Sequence, residues 1–72
     1  METVEIAINK LKNLKIPDAD FNYEVEEDGW INIYHNILDL IMEDDEVADK
    51  ISKILKLELI DKEIISFSFC ER

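Results

Sequence analysis

The chain has a single glycine, and it lies between two stretches that alternate apolar and polar residues. Phe21, Tyr23 and Val25 alternate with Asn22, Glu24 and Glu26, and Ile31, Ile33 and His35 alternate with Trp30, Asn32 and Tyr34. Alternation of this kind marks strands with one buried face, and two such runs around a glycine read as a hairpin. Loop length then decides the register. A two-residue Asp28-Gly29 turn pairs Glu27 with Trp30, sets Val25 opposite Asn32 and mixes polar and apolar side chains on both faces. A three-residue loop of Glu27, Asp28 and Gly29 pairs Glu26 with Trp30 instead. Val25 then faces Ile31, Tyr23 faces Ile33 and Phe21 faces His35, so one face becomes nearly all apolar. Register follows the coherent face, and Gly29 takes the left-handed position that the longer loop requires. The expected strands are 21–26 and 30–35.

The flanking segments supply helices and one more strand. Val4, Ala7, Ile8, Leu11 and Leu14 recur at helical spacing, predicting a helix over 4–15. Thr3 is its expected cap, Lys10, Lys12 and Lys15 suit its C-terminal dipole, and Pro17 ends it. Val4, Ile6 and Ile8 also alternate like a strand, but Leu11 and Leu14 continue the helical stripe and leave Ile6 off it. Asn36 followed by Asp39 resembles a capping arrangement for a short helix from Ile37 to about Glu43, with a strand as the alternative. Asp44 or Asp45 caps a longer helix over 45–59, whose stripe is Val47, Ala48, Ile51, Ile54, Leu55 and Leu59. Ile65, Phe67 and Phe69 alternate with Ile64, Ser66, Ser68 and Cys70, giving a final strand over 64–70. The fold class is α+β. Its elements run in the order α-β-β-(short α)-α-β. A small three-stranded antiparallel sheet with two main helices on one face makes two layers. The expected inner face of the sheet holds Phe21, Tyr23, Val25, Ile31, Ile33, Ile65, Phe67 and Phe69.

Seventy-two residues, 47% of them apolar, make one small globular domain, residues 1–72, near the lower size limit for a self-sufficient core. Composition removes most function classes. One Cys excludes an intrachain disulfide and any multi-cysteine metal site, and one Gly excludes a glycine-rich phosphate loop. No apolar run exceeds three residues, Leu40 to Met42 being one, which is far too short to span a membrane. No basic stretch followed by an apolar one opens the chain, so no secretory signal and a cytoplasmic location are expected. Seven Lys to one Arg, abundant Ile and no Gln suit an A+T-rich genome, that of a bacterium, archaeon or phage.

Charge is the most informative remaining feature. The formal net charge is -10, which opposes direct binding to nucleic acid because phosphate contacts need Lys and Arg. Between Lys15 and Lys50 there are twelve Asp or Glu and no Lys or Arg. Glu24, Glu26, Glu27 and Asp28 cluster on the hairpin, and Glu43, Asp44, Asp45, Glu46 and Asp49 cluster before and within the second main helix. Acids at a helix N-terminus have a local explanation in the helix dipole. Acids on a strand and its tip also resist strand-to-strand aggregation. Two large aromatics beside them, on the face turned from the core, point further. Trp and Tyr are enriched in interface hot spots, and a negative field steers a basic partner.

The expected partner-binding residues are therefore Glu24, Glu26, Glu27, Asp28, Trp30 and Tyr34, with Glu43, Asp44, Asp45 and Glu46. The expected function is a small acidic, non-catalytic inhibitor or immunity-type protein that occupies a basic site on a partner protein, its carboxylates standing in for nucleic-acid phosphates. The alternative is a structural or regulatory subunit that self-associates, as a homodimer for example, or joins a complex through its aromatic face. No catalytic residue, metal ligand or cofactor is expected. His35 has no second ligand at metal spacing, Cys70 has no His beside it in sequence, and Glu43 to Glu46 is consecutive where a calcium loop alternates its ligands.

Overall fold

The computed structural model describes residues 2–72. Helix α1 (Glu2–Lys12) leads into strand β1 (Phe21–Val25) and strand β2 (Ile31–His35). A short helix α2 (Leu38–Glu43), a longer helix α3 (Asp45–Glu58) and a single 3-10 turn (Ile60–Lys62) precede strand β3 (Phe67–Glu71). This is the expected α+β class and element order.

The hairpin has the register that a coherent apolar face demands. Phe21 pairs with His35, Tyr23 with Ile33 and Val25 with Ile31. Glu27, Asp28 and Gly29 form the loop, and Gly29 has φ +89°. The Glu26 N–H donates to the Trp30 carbonyl at 2.8 Å and the Gly29 N–H donates to the Glu26 carbonyl at 3.0 Å, which closes it.

The third strand differs from expectation in direction. The sheet order is β1-β2-β3, with β1 and β2 antiparallel but β2 and β3 parallel, Ile31 pairing with Phe67 and Ile33 with Phe69. The sheet is therefore mixed, not wholly antiparallel. The cause is the connection. The chain leaves β2 at His35 and returns through α2, α3 and the 3-10 turn to the end of the sheet where β2 began. Such a helical crossover is what joins parallel strands. The strand is also shorter than the 64–70 expected, because Ile64 to Ser66 lie before it. Ile65, before the strand, is 71% exposed, and Val25 keeps its place opposite Ile31 on the inner face but is 49% exposed there. Ile64 packs against the core in place of Ile65.

The core lies between the sheet and the helices. Val4, Ala7, Ile8 and Leu11 of α1 meet Phe21, Ile31 and Ile33 of the sheet, together with Ile37, Ile51 and Leu59. Tyr23, Phe67 and Phe69 are half-buried at its margin. Helix α1 begins and ends earlier than expected, so Thr3 lies inside it and does not cap it. Asp44 does cap α3, its side chain accepting from the N–H groups of Glu46 and Val47.

Asn36 has a role other than helix capping. Its Oδ1 accepts from the Asp20 N–H at 2.8 Å, and its Nδ2 donates to the Asp18 carbonyl at 2.9 Å. It thereby pins the α1–β1 loop, in which Lys15 and Asp18 both have positive φ. The start of α2 is left without a side-chain cap.

Glu58 is the least expected member of the interior. It is only 8% exposed, and it accepts from Lys10 of α1 and, at 2.8 Å, from Lys62. These hydrogen bonds, Lys10 first, hold its carboxyl below the usual range. A buried carboxylate needs such partners.

Candidate functional site: the outer face of the sheet

Strand alternation sends Asn22 and Glu24 of β1, Asn32 and Tyr34 of β2, and Ser68 and Cys70 of β3 to the face away from the helices. The pairing aligns Glu24, Asn32 and Ser68 in one row, and Asn22, Tyr34 and Cys70 in the next. Glu26 and Trp30 flank the loop at one end of this face.

A hydrogen-bonded chain runs from β3 through β2 to Glu26, the residue after β1. The Trp30 indole Nε1–H donates to Ser68 Oγ at 3.1 Å. Ser68 Oγ donates to Asn32 Oδ1 at 3.0 Å, and Asn32 Nδ2 donates to Glu26 Oε1 at 2.7 Å. The charged acceptor at its end makes the last of these bonds the strongest type in the chain. The indole is thus held by its polar edge, while the residue as a whole stays 41% exposed. The Trp30 N–H also donates to Asp28 Oδ1 at 2.9 Å, which ties the loop to the aromatic residue.

The hairpin carboxylates and those near α3 sit in different electrostatic settings. Asp44 caps α3, Glu46 pairs with Lys50 at 3.4 Å and Asp49 with Lys53 at 3.2 Å. Asp45 lies in the first turn of α3, where the dipole favours it, and Glu43 ends α2. Most of that cluster is therefore accounted for by its own helix. Among the described residues, Glu24, Glu26, Glu27 and Asp28 enter no ion pair. Glu26, Glu27 and Asp28 line an open hollow at the hairpin tip.

Tyr34 shares the outer face but not this setting. It is half-buried, and the Arg72 guanidinium carbon lies 5.6 Å from its ring centroid, within cation–π range. The face is polarised, with carboxylates and Trp30 at the hairpin end and the chain's single arginine over Tyr34. Sequence reasoning placed Asn32 and Ser68 on this face but did not anticipate that they lock Trp30. It also missed Arg72 altogether. Unlike the hairpin residues, Glu43, Asp44, Asp45 and Glu46 are joined to this face by no hydrogen bond or ion pair among the described residues.

Other titratable groups lie on the inner side. His35 is 3% exposed, its Nδ1 accepts from the Ile37 N–H at 3.2 Å, and burial pushes its pKa below the ordinary value, with Glu71 opposing. Tyr23 Oη donates to Glu5 at 3.3 Å, and burial, then the Glu5 charge, raise the phenol's pKa. On the outer face, by contrast, Cys70 is a half-buried free thiol. Among the described residues no group of three or more His, Cys, Asp or Glu is arranged to hold a metal ion. No helix there is long and apolar enough to cross a membrane. No protein-family model, curated protein or solved structure matches the chain.

Proposed function

We propose that the protein is a small acidic, non-catalytic binding domain of the inhibitor or immunity type. It occupies a basic site on a partner protein with its hairpin, and the carboxylates there stand in for nucleic-acid phosphates. The observation that carries this reading is the setting of Trp30. The indole is clamped through Ser68, Asn32 and Glu26, Trp30 is 41% exposed, and among the described residues the four hairpin carboxylates enter no ion pair. A pre-positioned aromatic loses little side-chain freedom on binding. Its unpaired acidic surroundings raise the encounter rate with a basic surface. The α2–α3 acids Glu43, Asp44, Asp45 and Glu46 extend the negative field, with Asp44 and Glu46 also serving their helix.

The test is affinity capture from bacterial lysate at low salt, followed by kinetics with the purified captured protein. The reading expects a basic partner whose association slows steeply with ionic strength, and slows again for Glu26→Lys with Asp28→Lys. Trp30→Ala should weaken the complex by about 2 kcal/mol or more, mainly through faster dissociation. It should cost the isolated domain only about 1 kcal/mol for the lost hydrogen bond. Binding that ignores salt and the charge reversals but still needs Trp30 would instead favour a structural or self-associating subunit.

A further inference from the structure

We infer that β3 is an acid-released strap: protonation of His35 on the inner face loosens β3 and thereby unlocks Trp30 on the outer face. This deepens the proposed function by assigning a regulation to the same surface, and it rests on that reading only for its consequence to binding.

The geometry makes β3 common to both sites. On the inner face Phe69 stacks on the His35 imidazole, ring centroids 4.3 Å apart and planes 22° from parallel. One residue earlier in the strand, on the outer face, Ser68 accepts the Trp30 indole N–H. The His35 carbonyl also accepts from the Arg72 N–H at 2.7 Å, just beyond the strand. His35 is therefore bound to β3 by its ring and by its backbone. Its Nδ1 is committed as well, accepting from the Ile37 N–H at the entry to α2. An imidazole that takes a proton at Nδ1 ceases to be an acceptor and becomes a donor. The Ile37 N–H then faces another donor, and a buried cation sits against an aromatic ring and the core. The relief available is for the edge strand to lift and admit water.

The surroundings set the balance. From β3, Glu71 stands across the ladder from His35 and favours the imidazolium, while Arg72 points over Tyr34 on the other face. From β1 the neighbour is Phe21, and the N–H of Asp20 before it is bonded to Asn36. Helix α1 buries Val4, Ala7, Ile8 and Leu11. Helix α3 buries Ile51 and Glu58, the latter occupied by Lys10 and Lys62. In α2, Leu40 and Ile41 pack on the core and Asp39 is exposed. Glu71 is the charged group that acts on His35, and its pull is weaker than the cost of burial. The closed state therefore binds a proton less readily than the open one, and acid shifts the population towards opening.

The experiment follows amide-exchange protection and the emission of the single tryptophan between pH 7.5 and 5, on the free domain. Wild type should lose protection at residues 67–71 by up to about tenfold per pH unit below 6.5, the limit for one linked proton. Trp30 emission should shift to the red over the same range, while the α1 amides stay protected. His35→Gln, which keeps an acceptor but does not titrate, should show neither change. His35→Phe, which keeps the stacking on Phe69, is the second non-titrating variant. Ser68→Ala should retain the β3 response but lose the linked Trp30 response. Overturning results are a flat wild-type profile, the same response in both His35 variants, or protection lost uniformly across α1 and β3. None of these measurements uses a partner, so their failure leaves the binding proposal standing. Absence of any partner likewise leaves the strap to be judged on its own data.

Discussion

Replacing Gly29 by L-alanine and by D-alanine separates backbone strain from steric contact in the hairpin loop. Gly29 has φ +89°, and a Cβ built on it meets no atom within 4 Å. The L-alanine methyl is therefore not resisted by crowding, and the D-alanine methyl reverses the sign of φ that is preferred. An L-residue in the left-handed region costs roughly 1–2 kcal/mol. Against this, any Cβ restricts the unfolded chain and stabilises by about 0.4–1 kcal/mol. The net expectation for L-Ala is a loss of about 1 kcal/mol, which for a domain this size lowers Tm by roughly 4–8 °C. D-Ala carries the unfolded-state term without the strain and should stabilise by about 0.4–1 kcal/mol. Chemical synthesis of both variants and urea denaturation followed by far-ultraviolet circular dichroism give the comparison, with an unchanged m-value confirming that only stability moved. If L-Ala matches or exceeds glycine, or both enantiomers shift stability the same way, Gly29 is not what holds the three-residue loop.

Three further outcomes are expected. The folded state favours the charged form of Glu58, so its contribution is complete above the ordinary value of 4.5 and is lost as pH falls through its lower folded value. Glu58→Gln should therefore lower Tm at pH 7 and flatten the acid branch of the stability curve, and parallel curves for the two proteins would contradict the ion-pair role. Asn36→Ala removes two loop-pinning hydrogen bonds and should cost about 1–3 kcal/mol by denaturant titration, where a cost near zero would mean the α1–β1 loop holds itself. Raising ionic strength from low to physiological should raise Tm, since the net charge is -10 and screening relieves self-repulsion; a falling Tm would show that Glu58 and the lysine pairs dominate instead.

Local patterns in the sequence carried most of the fold, and the limits of those patterns explain the errors. The hairpin register was legible because a slip of one residue would turn Ile31 and Ile33 to the solvent face. The α3 cap was legible to within one residue, Asp44 or Asp45, because both directly precede an amphipathic run. The direction of β3 was not legible, since Phe67 and Phe69 alternate with Ser68 and Cys70 identically whether the strand is read forwards or backwards. Only the crossover through α2 and α3 decides it. Asn36 misled because an amide that can cap a helix can equally bridge a distant loop, and its partners at Asp18 and Asp20 lie across a gap no local pattern spans. The same holds for the candidate site. Trp30 and the hairpin acids could be assigned to one face from alternation alone. Their connection through Ser68 depends on a residue 38 positions away. Glu58 belonged to no sequence pattern, because Lys10, the partner that holds it from α1, lies 48 positions away.

The parallel pairing of β2 with β3 also has a kinetic meaning. The hairpin closes over three loop residues, whereas the pairing of Ile31 with Phe67 closes over the whole helical crossover. Closing the longer loop costs more chain entropy before any pairing rewards it. Substitutions in the hairpin should then act chiefly on the folding rate, and substitutions in β3 chiefly on the unfolding rate. The indole clamp inherits that order. Trp30 is in place early, but the serine that fixes it arrives with the last strand to dock. On this order the aromatic surface is completed only when β3 pairs with β2.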